Sequence, residues 1–247
     1  MIKVFDEYSK YYDLLYKDKD YVAESEYISN LIKRFAPNTK TVLELGCGTG
    51  KHALLLGKKG YDIFGIDLSE TMLEDAKKLG VNCALGDART FRANKTFDTV
   101  ISLFHVAGYQ VTNQDLNDYF DTAQVHLEKG GIFIFDCWYG PAVLKQRPEH
   151  KVKHFENEFL EIEREATPVH YVNENRVEVN YDIKIKNKFD GMGQKLHETH
   201  NVRYFFKPEL QEFLLRNNIE LIHCEEWLSK KEPGEDSWGV CFVGVKK

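Results

Sequence analysis

A glycine-rich segment in the first third of the chain has the residue types of a nucleotide-binding loop. It reads Glu44-Leu-Gly46-Cys-Gly48-Thr-Gly50 and directly follows an apolar stretch. Glycines at such a place let a ligand approach the backbone, and the N-terminus of a following helix offers unpaired N–H groups to an anion. The segment therefore predicts a site for a nucleotide-like ligand.

Two further acidic residues follow the next two apolar stretches. Asp67 ends one of them, where a carboxylate can accept both hydroxyls of a ribose, and Asp87 in Gly86-Asp87-Ala88 ends the other. We expect Asp87 to accept a hydrogen bond from an adenine amino group. The carboxyl ends of parallel strands meet at one edge of a sheet, so Glu44, Asp67 and Asp87 together predict an adenosine site.

The spacing of the glycines indicates which nucleotide fits. A dinucleotide-binding loop has the pattern G-x-G-x-x-G and holds a pyrophosphate, whereas this chain has G-x-G-x-G with Glu44 two residues before it. An acid repels a pyrophosphate but attracts the ammonium group of an amino acid. We therefore expect an adenosine that carries an amino acid, and the spacing disfavours a nicotinamide-dependent oxidoreductase.

Apolar periodicity and turn signals predict alternating strands and helices that position these acids. A first helix follows Asp20 and stops before Pro37. From 151 to 206 the pattern changes to polar–apolar alternation, which predicts an antiparallel meander inserted into the α/β core. The core strands are predicted at 41–45, 62–66, 81–85, 97–104, 132–137, 219–227 and 240–245, and the core helices at 52–59, 69–79, 114–127 and from 208 onwards.

Composition excludes several classes of protein. The chain has 247 residues and a formal net charge of −6, which argues against a broad phosphate-binding face, so nucleic acid is not an expected partner. The five cysteines are widely spaced without a C-x-x-C pair, so we expect reduced thiols and no metal site. The chain shows neither a signal peptide nor an apolar run long enough to span a membrane, so we expect a cytoplasmic protein.

With these motifs, the sequence resembles the class I S-adenosylmethionine-dependent methyltransferases over residues 42–136. The resemblance implies S-adenosylmethionine as cofactor and a Rossmann-like α/β fold: a seven-stranded, mostly parallel sheet with helices on both faces, a reversed last strand and the inserted antiparallel β meander. It also implies one domain, 1–247, made of a helical lid (1–40), a cofactor-binding core (41–150), the inserted sheet (151–206) and a closing segment (207–247). The cofactor contacts that it implies are Tyr12, Tyr21, Glu44, Gly46, Gly48, Asp67, Leu68, Asp87, Ala88 and Phe104.

Other segments are similar to a narrower group, the N,N-dimethyltransferases of nucleotide-linked amino deoxysugars. This similarity implies N-methylation of an amino sugar, and it leaves homodimer formation open. The chain departs from these enzymes at Ser237-Trp238-Gly239, where they tend to carry an arginine. The segments concerned are Tyr12-Asp-Leu-Leu-Tyr16, Lys19-Asp-Tyr21-Val-Ala-Glu24, Ser102-Leu-Phe-His-Val-Ala-Gly-Tyr109, Asp136-Cys-Trp138-Tyr139, the meander and Phe242-Val-Gly-Val245.

Polar and aromatic residues after the fourth and fifth strands are the candidates for catalysis. We expect His105, Tyr109 and Trp138 to face the reactive methyl group, with aromatic packing as the alternative reading of all three. The N-terminal tyrosines predict either a lid or an ordinary packed helix. His197 and His200 lie three residues apart on a predicted strand, point to opposite faces and cannot share a metal ion. The segment 145–153 is either a solvated connection or a contact for an anionic acceptor.

Three other functions stay open at this stage. The acceptor atom could belong to another small molecule and be oxygen or nitrogen. A nicotinamide-dependent oxidoreductase would share the α/β plan. A cofactor-binding module without turnover would have a blocked acceptor pocket.

Overall fold

The computed structural model describes residues 9–247, so the first eight residues of the expected N-terminal lid lie outside it. Short 3₁₀ helices at Val106–Tyr109 and Val172–Glu174 add to the regular elements. The helices are α1 (Ser9–Leu15), α2 (Tyr21–Phe35), α3 (Lys51–Gly57), α4 (Glu70–Lys78), α5 (Asn113–His126), α6 (Gly140–Gln146) and α7 (Lys207–Arg216). The strands are β1 (Thr41–Leu45), β2 (Asp62–Asp67), β3 (Asn82–Leu85), β4 (Phe97–Ser102), β5 (Leu127–Trp138), β6 (Lys151–Glu156), β7 (Leu160–Tyr171), β8 (Arg176–Asn187), β9 (Gly193–Arg203), β10 (Ile219–Glu226) and β11 (Gly239–Lys246).

Seven strands form one sheet in the order β10-β11-β5-β4-β1-β2-β3. Neighbouring strands from β5 to β3 run parallel, and β11 is antiparallel to both β5 and β10. The order of the strands brings the ends of β1, β2, β4 and β5 side by side. The predicted Rossmann-like fold with a reversed last strand is confirmed.

Apolar strand residues form two buried layers, one on each face of this sheet. One layer contains the aromatic residues Phe120, Phe133, Phe135 and Phe242 and packs under α5 and α7. The other contains apolar residues of α2 and α3 packed on the opposite face. Strands that are buried on both faces of a sheet consist of continuous apolar residues. Such runs are visible in the sequence, so the predicted positions of these strands lie close to the observed ones.

Side-chain caps fix the starts of three helices where the sequence predicts them. The side chains of Asp20, Ser69 and Thr112 accept hydrogen bonds from the backbone N–H groups at the starts of α2, α4 and α5. The prediction was wrong at three places. Strand β5 begins at Leu127, where the sequence predicts the end of a helix. Strand β4 ends at Ser102 because Phe104 and His105 adopt positive φ, and α6 was not foreseen in a segment that reads as a loop.

The predicted meander forms a separate four-stranded antiparallel sheet, β6-β7-β8-β9. Its apolar inner face, with Ile162, Ile183 and Ile185, packs against Leu15 of α1. The backbone ties the meander to the end of β5, since Phe205 donates to the Trp138 carbonyl (3.0 Å) and Gly140 donates to the Phe205 carbonyl (2.8 Å). The meander is therefore attached at the carboxyl ends of the parallel strands.

Candidate active site

The glycine-rich loop after β1 is held in place by the end of β2. The N–H groups of Gly46 and Cys47 both donate to the carbonyl of Ile66, at 2.8 and 2.9 Å. Gly46 has φ +77°, and a Cβ there would lie 2.6 Å from a methyl group of Val106. Only glycine fits at this position, because both the backbone conformation and the contact exclude a side chain.

Asp67, at the end of β2, links the loop to the predicted ribose position. Its carboxylate accepts from the N–H of Gly48 at 2.8 Å and from the N–H of Ser69 at 2.9 Å. Burial raises the pKa of Asp67 despite these hydrogen bonds. The neighbouring Leu68 is exposed. Asp67 thus lies beside the glycine loop, as its predicted role requires.

Glu44 is an acid enclosed at the end of β1. Its side chain is 1% exposed, and Oε2 accepts no hydrogen bond from any of residues 9–247. Burial, together with the charge of Asp67, raises the pKa of Glu44 to about 8. A buried carboxylate is costly unless a positive partner meets it, so the position suits an ammonium group.

Asp87, beyond β3, has a protein partner. Its carboxylate is bound by the guanidinium of Arg89, with Nη2 at 2.6 Å, and the same guanidinium reaches Asp115 at 2.6 Å. The hydrogen bond from Arg89 holds the pKa of Asp87 below its usual value, although burial acts in the opposite direction. Ala88 is buried next to it. The adenine contact predicted for Asp87 must therefore share the carboxylate with Arg89.

The N-terminal segment brings positive charge and aromatic rings to the same edge. Lys19 Nζ lies 2.9 Å from Glu24 and 3.5 Å from the ring centre of Phe104. Burial lowers the pKa of Lys19. The ring of Tyr21 lies 5.0 Å from that of His52, whose Nε2 lies 2.7 Å from Glu24. This segment therefore faces the glycine loop at the start of α3.

The predicted lid tyrosines pack between this edge and the meander. The rings of Tyr12 and Tyr16 are 4.6 Å apart, and Tyr16 meets Phe104 edge-on at 5.2 Å. Both tyrosines also belong to the apolar cluster on the inner face of the meander. The two readings of the tyrosines are thus compatible, since they pack and also border the site.

His105 and Asp136 form a close pair at the carboxyl ends of the parallel strands β4 and β5. Nδ1 of His105 lies 2.6 Å from Oδ2 of Asp136, and the His105 backbone N–H also points at this carboxylate. Contacts with His105 hold the pKa of the fully buried Asp136 below its usual value, although burial opposes this. The ring of Trp138 lies 6.4 Å from His105 and 5.8 Å from Trp238. The structure brings His105 and Trp138 together. That they face the reactive methyl group stays a prediction.

Tyr109 contacts His200 of the meander, which in turn contacts Glu198, and neither meander residue was predicted to belong to the site. Its hydroxyl lies 2.9 Å from Nδ1 of His200, and Nε2 of His200 lies 3.0 Å from Oε2 of Glu198. His197 instead lies on the exposed face with Asp182, so the predicted divergence of the two histidines is confirmed. The available signal was the spacing of Glu198 and His200, because residues two apart on a strand share a face.

The segment 145–153 makes exposed ion pairs. Lys145 lies 2.7 Å from Glu235, and His150 lies 2.8 Å from Glu165. These contacts agree with a solvated connection. A role in binding an anionic acceptor stays a prediction.

Comparison with known proteins identifies the part of the chain that carries the glycine loop. Residues 42–131 match the family model described as a methyltransferase domain. This segment is similar to a methyltransferase domain. Its matched range begins in β1 and ends in β5, so it contains Glu44, the glycine loop, Asp67 and Asp87.

Beyond the methyltransferase domain itself, curated relatives are similar over about half of the chain. The dTDP-3-amino-3,4,6-trideoxy-alpha-D-glucopyranose N,N-dimethyltransferase of Streptomyces venezuelae is 37% identical over 134 residues, which cover 53% of this chain and 56% of that protein. A dTDP-3-amino-3,6-dideoxy-alpha-D-glucopyranose N,N-dimethyltransferase of Streptomyces fradiae is 28% identical over 55% of this chain and 54% of its own. The chain thus spans about half the length of the curated relatives it matches.

Solved structures extend the likeness in fold to the whole chain. DesVI of Streptomyces venezuelae superposes with a TM-score of 0.82 at 25% identity, over 97% of this chain and 98% of that one. The sugar N-methyltransferase KedS8 of Streptoalloteichus shares the fold with a TM-score of 0.81 at 21% identity, over 96% of this chain and 92% of its own. The meander is therefore part of the shared architecture around the methyltransferase domain.

The comparisons support S-adenosylmethionine as the cofactor, and the residues present fit it. The buried Oε2 of Glu44, which lacks a partner within residues 9–247, matches an ammonium group. The positive φ of Gly46 and Gly48 leaves the backbone open beside it. Asp67 lies one strand away, as a ribose-binding acid does.

Proposed function

We propose that the protein transfers a methyl group from S-adenosylmethionine to the amino nitrogen of a small molecule, and that this molecule is an amino deoxysugar linked to a nucleotide. The observation that carries the cofactor half of the proposal is the buried carboxylate of Glu44 beside the glycine loop. The acceptor half is supported by the named activities of the relatives from Streptomyces.

In this proposal the end of the parallel sheet holds the cofactor. Glu44 receives the ammonium group, Asp67 receives the ribose hydroxyls, and the backbone at Gly46 and Gly48 makes room for the ligand. Asp87 and Ala88 border the adenine, with Leu68 beside the ribose. Bound S-adenosylmethionine supplies an electrophilic methyl group on a sulfonium.

The protein contributes mainly alignment and the exclusion of water. An amine must present a free lone pair in line with the methyl group, and in this proposal Phe104, Trp138 and the N-terminal tyrosines hold it there. His105 Nε2 takes the proton of the incoming ammonium group, and Asp136 at 2.6 Å stabilises the resulting imidazolium. Tyr109 orients the amine from the other side.

The sugar N,N-dimethyltransferases tend to carry an arginine in the loop before the last strand, where this chain has Ser237-Trp238-Gly239. The nucleotide part of the acceptor therefore needs a different contact in this protein. In this chain Trp238 occupies that loop, and its Nε1 donates to Gln146 of α6. The helical N-terminal segment, the core, the inserted sheet and the last segment act as one catalytic unit in this proposal.

The cellular compartment and the partners of the enzyme are also part of the proposal. None of the helices within residues 9–247 has the length and apolar character that a membrane-spanning helix needs. All five cysteines are free thiols, which supports a reducing compartment such as the cytoplasm. The exclusion of nucleic acid rests on the net charge of −6 and stays a prediction, and homodimer formation stays open.

A panel of acceptors tests the proposal. Purified protein is offered S-adenosylmethionine with 3- and 4-amino deoxysugars linked to a nucleotide, the same sugars without nucleotide, and hydroxyl analogues. We expect S-adenosylhomocysteine to form only with amines, and mass spectrometry to find the methyl on nitrogen. Tyr109→Phe and Trp138→Ala should slow turnover more than they weaken cofactor binding.

Two results would refute the amine assignment. One is a methyl group found on oxygen or carbon. The other is a lack of turnover across the amines while another class of small molecule reacts. Binding of NADH but not of S-adenosylmethionine in calorimetry would refute the cofactor half and favour an oxidoreductase.

A further inference from the structure

Four of the backbone N–H groups of the glycine loop already have acceptors within the protein. Those of Gly46 and Cys47 donate to a carbonyl at the end of β2, and that of Gly48 donates to the carboxylate of Asp67. The N–H of Gly50 donates to the carbonyl of Cys47 at 2.9 Å. The amino-acid part of S-adenosylmethionine carries a carboxylate beside its ammonium group, and these four N–H groups are not available to it.

A ligand carboxylate would enter a region that already contains several buried acids. Glu24, Glu44 and Asp136 are 8%, 1% and 1% exposed. Burial of one more negative charge beside them is costly unless a positive group meets it. A carboxylate next to the ammonium group at Glu44 therefore requires a cation close by.

Lys19 is a buried cation in this region. Its side chain is 9% exposed, and Nζ lies 2.9 Å from Oε2 of Glu24 and 3.5 Å from the ring centre of Phe104. Burial lowers the pKa of Lys19, whereas the ion pair with Glu24 favours its charged form. Within residues 9–247, Glu24 is the acid that Nζ contacts, and an ammonium group has three N–H donors. Donors of Lys19 therefore remain for a ligand.

A continuous path of contacts joins Lys19 to Glu44. Oε2 of Glu24, which meets Lys19, also lies 2.7 Å from Nε2 of His52. Nδ1 of the same imidazole ring lies 3.9 Å from Oε1 of Glu44. Burial raises the pKa of Glu44, and the positive charge of Lys19 acts in the opposite direction. The carboxylate and the ammonium group of an amino acid are attached to the same carbon, so a ligand that meets Glu44 brings its carboxylate close to this path.

We propose that Lys19 binds the carboxylate of the cofactor while Glu44 binds its ammonium group. This inference rests on S-adenosylmethionine being the cofactor, which is the first half of the proposed function. S-adenosylhomocysteine has the same carboxylate, so Lys19 contributes equally to the binding of both compounds. Lys19 distinguishes them from adenosyl compounds that lack this group, such as decarboxylated S-adenosylmethionine.

Calorimetry with two ligands that differ only in the carboxylate tests the inference. The unmodified protein should bind S-adenosylmethionine about tenfold or more tightly than it binds decarboxylated S-adenosylmethionine. Lys19→Met should weaken the binding of S-adenosylmethionine by about 10- to 100-fold, the scale of one hydrogen bond between charged groups. It should change the Kd of the decarboxylated compound by less than about threefold, so the preference is lost.

Lys59→Met is the matched control. Lys59 also pairs with a glutamate of α2, Glu26, but it is exposed. We expect this variant to bind both ligands as the unmodified protein does. Lys19→Gln keeps an N–H donor at the position and takes the place of Lys19→Met if the methionine variant does not fold. It should lose the preference for the carboxylate as well, because its side chain is neutral.

Two results would overturn the inference. One is a folded Lys19 variant that prefers S-adenosylmethionine to the decarboxylated compound by the same factor as the unmodified protein. The other is an equal loss of affinity for both ligands, because that result assigns Lys19 a purely structural role. If the unmodified protein binds neither S-adenosylmethionine nor S-adenosylhomocysteine, the proposed function itself fails. If it methylates an amine and the Lys19 variants keep the preference, only this inference fails.

Discussion

Glu44 is a buried acid beside the glycine loop, and its folded-state pKa of about 8 makes stability depend on pH. The carboxyl group of a glutamate in the unfolded chain has a pKa of ~4.3. Between that pH and about 8 the folded chain therefore binds one proton more than the unfolded chain does. The contribution of this site to stability is present at low pH and is lost as the pH rises towards about 8. Glu44→Gln removes the effect.

We therefore expect Glu44→Gln to be more stable relative to the unmodified protein at pH 8 than at pH 5, with a slope of up to about 1.4 kcal/mol per pH unit. Denaturant unfolding of both proteins across that range measures it. The exposed Glu26→Gln on α2 is the control and should show no such widening. A difference between Glu44→Gln and the unmodified protein that is constant with pH would contradict the enclosed, protonated state of Glu44.

At Asp67 the expected change is in ligand binding. Asp67→Ala should weaken S-adenosylmethionine binding by ~1.5 to 3 kcal/mol, the scale of lost charge-assisted hydrogen bonds. Calorimetry measures it, with Asp62→Ala at the exposed start of the same strand as the control. Unchanged affinity in a folded Asp67→Ala variant would remove Asp67 from the cofactor site.

At the scale of elements, the contact between β9 and the 3₁₀ helix Val106–Tyr109 joins the meander to the core. Gly108→Ala places a Cβ 2.9 Å from the Val202 side chain and 3.2 Å from the Arg203 carbonyl, so the two elements must separate. We expect a loss of stability of ~1 to 3 kcal/mol, the usual cost of overpacking, and slower turnover. Thermal unfolding and initial rates measure the two effects.

Gly57→Ala is the matched control for this substitution. Gly57 ends α3, and a Cβ there meets nothing within 4 Å, so alanine should be neutral or stabilise by ~0.5 to 1 kcal/mol. If Gly108→Ala were equally harmless, the meander would not be held against Tyr109 by this contact.

At the scale of the whole molecule, a ligand that binds only the folded chain raises its melting temperature. S-adenosylhomocysteine at about 100 times its Kd should add about 2.7 kcal/mol, which corresponds to a rise in Tm of roughly 5 to 11 °C for a chain of this size. Differential scanning fluorimetry measures the shift. NADH at the same concentration should leave Tm unchanged, and the opposite ranking of the two ligands would contradict the cofactor assignment.

The elements of the α/β core were largely predictable because their signals are local. Continuous apolar runs marked β1 and β2, and the capping residues Asp20 and Ser69 marked the starts of α2 and α4. The missed elements carry weak local signals. Helix α6 has seven residues, and the 3₁₀ helix Val106–Tyr109 follows two residues with positive φ that no composition rule requires.

The sequence by itself determined the cofactor side of this protein, since Glu44, the glycines, Asp67 and Asp87 lie at strand ends whose alignment follows from the parallel order. Only the tertiary structure decided which residues meet beside Tyr109. Tyr109 contacts His200, which lies 91 positions away in the sequence, and His200 in turn contacts Glu198. The physical reason is that strand alternation fixes which face a side chain occupies, whereas the packing of one sheet against the other fixes what that face meets.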